Sequence, residues 1–271
     1  MIQAYLKYQR GVKNLTPRTL QEYRKELRMF ATWAKERRFE IKSMTKARID
    51  AFLMDEHERG MRPETIKKRL TAVRMFYQWA WHEGLISENP ARFCQSPKGE
   101  QRLPKTANVG MIDSYLRTPI RSEKSARVHT VVALLLETGL RVGEAMSVTW
   151  DEVDMEQHTI TVWGKGRKER IVFFGRRTAE ILSAAPRHSQ YVLPYTSDRR
   201  LREEMSDEVG RYVEGIHPHM LRHTFATALL NNGCPLKDVS VLMGHAHVTT
   251  TERYARVAVD RLQTQYTNYQ I

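Results

Sequence analysis

HPHMLRHTFAT, residues 217–227, places Pro218 directly after His217, and a proline there suits the first turn of a helix. On that helix His219 and Arg222 stand at i and i+3, so both side chains project from one face. Three further stretches have the same polar character: TGLRVGEA at 138–145, GKGRKER at 164–170 and LMGHAHVTTTERY at 242–254. Within them, a GKG turn alone is commonly just a tight turn and an Arg-x-x-Glu pair alone is commonly a helix ion pair, so neither of these two motifs means much by itself.

Around these stretches the second half of the chain reads as mixed. Helices are expected at 108–117, 123–138, 142–148, 176–185, 199–214, 218–231, 235–243 and 247–254, with a last one towards residue 271. The helix over 123–138 is heavily apolar through Val131, Val132, Leu134, Leu135 and Leu136, and is expected to be buried. His158 to Trp163 alternates, Glu169 to Phe174 is β-rich, and the glycines between them predict a hairpin with a basic tip.

The first 97 residues read as almost wholly helical. Thr16 and Pro17 make an N-cap and first-turn pair, followed by Leu20, Tyr23, Leu27, Phe30 and Trp33 at helical spacing. Thr45 caps a second helix ending near Gly60. Pro63 opens a third with a stripe of Ile66, Leu70, Val73, Phe76 or Tyr77 and Ala80, ending at Gly84. With a short opening helix this makes a four-helix bundle. The run Phe76, Tyr77, Trp79, Trp81 has the spacing of core packing rather than of base stacking. Arg24, Arg28, Lys67, Lys68, Arg69 and Arg74 are assigned to the outward faces, placed to meet phosphates. Residues 87–104, with three prolines and a glycine, read as the connection, giving domains at 1–97 and 105–271 joined by 98–104.

Forty-four Lys and Arg against 31 Asp and Glu give a formal charge of +13, which calls for a polyanionic partner. Residues 1–97 carry 20 basic and 11 acidic side chains, the remainder 24 and 20, so the surplus is concentrated in the helical part. Cys94 and Cys234 suggest no disulfide framework and fit a reducing cytoplasm. No stretch approaches 18 apolar residues and the start lacks a signal-peptide pattern. Five histidines between 217 and 247 lack a partner cysteine or carboxylate at ligand spacing, which argues against zinc.

In their wording and order the four stretches resemble the tyrosine recombinases, the family of phage integrases and Xer-type recombinases, over nearly all of the chain. The resemblance implies a mainly α fold with a small β-hairpin or sheet (α+β). In it a SAM-like helical DNA-binding domain and a catalytic domain form a C-shaped clamp around DNA. It implies a site-specific recombinase or integrase that cuts and rejoins strands through a 3′-phosphotyrosyl intermediate, with no metal, ATP or other cofactor.

By that resemblance Arg141 and Arg222 clamp the phosphate and Tyr254, nine residues after His245, attacks it. His219 manages the tyrosine proton, His245 donates a hydrogen bond to the phosphoryl group, and Lys165 protonates the leaving oxygen, with Lys168 the weaker candidate. Glu144 orients Arg141, His223 supports the fold or Arg222, and Arg167 and Lys168 at the hairpin tip contact DNA. The implied partners are double-stranded DNA with inverted-repeat core sites and three further copies, a tetramer on DNA that 257–271 helps assemble; packing of that tail on its own domain is the alternative. The chain begins directly at the core-binding helices, so the expected enzyme is Xer-like or a minimal integrase, cytoplasmic and nucleoid-associated. A type IB topoisomerase-like nicking-closing enzyme and a non-catalytic DNA-binding regulator are the competing expectations.

Overall fold

A computed structural model describes residues 1–97, 105–163 and 169–244. The chain divides into two compact units at residues 101/102.

The first unit is built from α1 (Ile2–Gly11), α2 (Pro17–Glu36), α3 (Lys46–Glu58) and α4 (Pro63–His82). Thr16 and Thr45 accept hydrogen bonds from the backbone N–H of Thr19 and Arg48, both at 3.3 Å, so each helix begins where a hydroxyl satisfies a donor left over at its end. Tyr5, Leu27, Phe30, Phe52, Ile66, Phe76 and Tyr77 are fully buried. Phe30 meets Phe52 edge to face at 5.1 Å. Each such side chain contributes about 1.5–3 kcal/mol by leaving water, which makes this aromatic core the main source of cohesion. Trp79 joins the core, whereas Trp81 is exposed.

Two expectations are corrected in this unit. Arg69 does not face outward: it shares the inward face with Ile66, Leu70 and Val73, at the i, i+3, i+4, i+7 spacing that defines that face. It is only 7 % exposed and is ion-paired with Glu26, Nε to Oε2 at 3.2 Å, and with Glu56. Arg74 is half-buried and donates to the carbonyl of Cys94. The expected connection also starts too early at residue 87, because Ala91 and Cys94 pack into the bundle core. Arg24, Arg28 and Lys67 are exposed; Lys68 is exposed too, but bonds Glu22.

The second unit is organised on α6 (Glu123–Thr138), whose Val128, Val131, Val132, Leu134 and Leu135 are fully buried. Around it lie α5 (Val109–Leu116), α7 (Val142–Ala145), α8 (Arg176–Ala184), α9 (Asp198–Val209), α10 (Pro218–Asn231) and α11 (Leu236–Leu242). The β-rich part is an antiparallel sheet of order β1-β2-β3, from Val153–Asp154, Thr159–Trp163 and Glu169–Phe173. Val162 pairs with Arg170 and Ile160 with Val172, so these four share one face. The two-residue β1 leaves no periodic signal and was not expected; α7 ends three residues and α9 five residues short of expectation. Among the described residues no helix is long and apolar enough to cross a membrane.

Candidate active site

Gly139 ends α6 at φ +62°, in the left-handed region that favours glycine. A Cβ there would lie 2.3 Å from the ring of Phe225, so the bare backbone also lets α10 approach closely. The turn delivers Arg141 to the start of α7, where its backbone N–H donates to Glu144 Oε2 at 2.9 Å and its Nη1 to Glu144 Oε1 at 2.7 Å. Glu144 therefore fixes both the main chain and the guanidinium of Arg141.

Arg222 comes from α10 and is 4 % exposed. It donates to the carbonyl of Gly139 and, through Nη2, to that of Met243 at 2.6 Å. Arg141 Nη2 donates to the next carbonyl, Gly244, at 3.0 Å. Two guanidinium groups 81 positions apart in sequence thus meet on adjacent carbonyls, immediately before His245. Arg141 keeps 40 % of its side chain open to solvent, so the pair has one anchored and one accessible member.

A third arginine joins the site without a motif of its own to mark it in the sequence. Arg170, on β3, donates Nη2 to Glu144 Oε2 at 2.8 Å, Nη1 to Oε1 at 3.3 Å and Nε to the carbonyl of Leu242 at 3.3 Å. Its signal was the strand's period of two, which puts it on the inward face with Val172. Burial by itself would push the Glu144 carboxyl up. Hydrogen bonds from Arg170, then from the Arg141 amide and guanidinium, outweigh that and hold it at about 2. Glu144 is therefore a carboxylate at any pH at which DNA is handled.

His217 caps α10 by accepting the N–H of Met220 at its Nδ1, 3.1 Å away. His219 follows in the first turn, and its ring stacks against that of His223 at 6.5 Å. Although His219 is exposed, desolvation of the ring, followed by electrostatic repulsion from Arg202, His217 and Arg222, lowers its pKa below the usual 6.5. Its neutral form, a proton acceptor, is thereby favoured at neutral pH. Lys165, Arg167, Lys168, His245, Tyr254 and the segment 257–271 lie outside the described residues. The arrangement that is described presents concentrated positive charge and a neutral imidazole on one site, which suits an anionic substrate that must lose or gain a proton.

Residues 2–84 match the phage integrase N-terminal SAM-like domain, and residues 110–261 match the phage integrase family. The chain is 31 % identical to the tyrosine recombinase XerC of Bacillus subtilis, across 99 % of this chain and 95 % of that protein. It is 30 % identical to XerC of Xylella fastidiosa strain M23, across 97 % and 93 %. Among solved structures, the XerH site-specific recombinase bound to palindromic difH substrate has TM-score 0.76 at 19 % identity, covering 98 % of this chain and 83 % of that one. The Tn1549 transposon integrase in complex with transposon right end DNA has TM-score 0.74 at 19 % identity, covering 97 % and 99 %. At those identities the two structures establish the shared fold.

Proposed function

Because the chain belongs to the phage integrase family and is a site-specific tyrosine recombinase, we propose that Arg141, Arg222, His219, Lys165, His245 and Tyr254 carry out its chemistry on duplex DNA. The observation that carries this assignment is the placement of Arg141 and Arg222 on the adjacent carbonyls of Met243 and Gly244.

A phosphodiester resists attack because its two non-bridging oxygens are already negative, and the charge grows in the transition state. Two guanidinium groups offer planar pairs of donors to those oxygens and stay charged at any relevant pH. The phenol of Tyr254 is a poor nucleophile near its reference pKa of about 10, so its proton must leave as the oxygen reaches phosphorus. His219, held neutral, is the acceptor. The Tyr254 oxygen forms the new P–O bond while the bond to the 5′-oxygen breaks. Lys165 gives that oxygen its proton, and His245 hydrogen-bonds a phosphoryl oxygen. The product is a 3′-phosphotyrosyl link and a 5′-hydroxyl, and the reverse steps with a different 5′-hydroxyl join a new strand. The link preserves the energy of the original bond, so ATP is not needed.

The protein binds double-stranded DNA. Arg24, Arg28 and Lys67 of the helical unit, with Arg167 and Lys168 from the stretch between β2 and β3, supply phosphate contacts that fix position rather than sequence. Four protomers on two inverted-repeat core sites make the active assembly, with 257–271 docking on a neighbour. Incubating the protein with two short duplexes carrying its footprinted site should exchange strands between them; relaxation of plasmids regardless of sequence, without exchange, would instead identify a nicking-closing enzyme. Removing 257–271 should abolish exchange while leaving single-site binding intact, and unchanged exchange would refute the docking role.

The state of His219 sets the pH response. An acceptor whose pKa lies below 6.5 stays competent until the pH falls through that lowered value. Single-turnover cleavage should therefore hold its rate from pH 8 down past 6.5 and decline only below. A midpoint at or above 6.5 would contradict the assignment of His219 as base.

A further inference from the structure

Three successive carbonyls close α11 and lead into His245, and each is held by a different arginine: Leu242 by Arg170, Met243 by Arg222 and Gly244 by Arg141. We propose that Arg170 is a positioning residue for phosphate neutralisation, setting the guanidinium of Arg141 through the carboxylate they share. The inference rests on the recombinase chemistry described above.

Glu144 stands between the two arginines. Arg170 takes Oε2 at 2.8 Å and Oε1 at 3.3 Å, while Arg141 takes Oε1 at 2.7 Å with its side chain and Oε2 at 2.9 Å with its backbone. A carboxylate has about four acceptor positions, and these four bonds use them, so Glu144 cannot rotate without breaking contact with one arginine. Arg170 is itself 13 % exposed, fastened on the inward face of β3 by its strand pairing and by the Leu242 carbonyl. It forms the rigid side of the arrangement, and Arg141, at 40 % exposure, the side open to a substrate.

Gly244 supplies independent support. At φ +61°, a Cβ on it would lie 2.9 Å from Cζ, Nε and Nη1 of Arg170. The backbone thus lies against the flat guanidinium, and the same residue's carbonyl receives Arg141. A lysine at 170 would keep the charge but could not fill both Glu144 oxygens and the Leu242 carbonyl in one plane. Because Arg170 ends in these protein contacts, its effect on reaction should run through Arg141.

The test compares cleavage of a nicked suicide substrate carrying an ordinary scissile phosphodiester with one carrying a methylphosphonate there. The methylphosphonate has one negative oxygen fewer, so a misplaced Arg141 matters less. Arg170→Lys should slow the phosphodiester reaction about 100-fold, the loss expected for a misplacement near 1 Å, and the methylphosphonate reaction less than tenfold, with DNA affinity within twofold. Arg170→Gln, which keeps hydrogen-bonding groups but no charge, should show the same selective loss. Equal slowing on both linkages, or rates within threefold of wild type on both, would overturn the positioning role alone. No cleavage by the wild-type protein would overturn the recombinase chemistry, and the positioning role with it.

Discussion

Arg222→Ala should reduce single-turnover cleavage by about three orders of magnitude or more, the scale on which phosphoryl-transfer enzymes lose rate when a charge-stabilising arginine is removed. The loss has two sources. One guanidinium disappears from the proposed phosphate site, and the carbonyls of Gly139 and Met243 lose a donor in a buried setting. Each carbonyl left unsatisfied costs roughly 1–3 kcal/mol, enough to displace both segments that carry the site. Arg222→Lys should recover little, since an ammonium cannot span the two carbonyls and still present donors to a phosphate. Quenched-flow cleavage of the suicide substrate, with a melting curve and a DNA-affinity measurement, separates the effects. Activity within tenfold of wild type would show that the buried guanidinium is structural only.

Gly139→Val should be nearly as damaging through the fold. A β-branched residue at φ +62° costs about 1–3 kcal/mol in backbone strain, and its Cβ would begin 2.3 Å from the Phe225 ring. Phe225 packs on the cluster of Ala226, Leu230, Val239 and Met243 that joins α10 to α11, so a shift of its ring disturbs the packing between these helices. A total destabilisation of roughly 3–5 kcal/mol is expected, the range of severe core substitutions, together with loss of cleavage. Gly143→Ala is the stability control: nothing lies within 4 Å of a Cβ there and φ is ordinary, so the melting transition should stay unchanged or rise slightly. Similar melting temperatures for the two variants would contradict this account of the turn.

Much of this was legible in the sequence because local signals and function coincide there. Thr16 with Pro17, Thr45 and Pro63 mark helix starts by chemistry that needs no tertiary context, and all three begin helices where expected. Pro218 marks the start of the helix that carries His219 and Arg222, their spacing gives them one face, and the structure puts both on α10. What misled were charges on inward faces. Arg69 has the residue type of a surface cation, although its register with Ile66, Leu70 and Val73 puts it inside, where Glu26 and Glu56 neutralise it. Arg170 was passed over for the same reason in a strand: alternation places it with Val172, and only its partners, Glu144 and the Leu242 carbonyl, show why a charge is tolerated there. The prolines around Ala91 and Cys94 give that stretch the look of a connection, yet their small side chains pack into the bundle core. In each case a partner distant in sequence decided the outcome, and a single stretch of sequence does not carry that partner.

The proposed mechanism has Tyr254 become covalently joined to the 3′ phosphate of a cut strand without help from a metal ion. Trapping the full-length protein on a nicked suicide substrate in EDTA, digesting the adduct and locating the nucleotide by mass spectrometry measures this directly. The expected result is an adduct carried by the peptide containing Tyr254, with its phosphate on the phenolic oxygen, and none from Tyr254→Phe. Attachment at Tyr266, Tyr269 or any other residue, or an adduct that forms only when a divalent metal is restored, would contradict it.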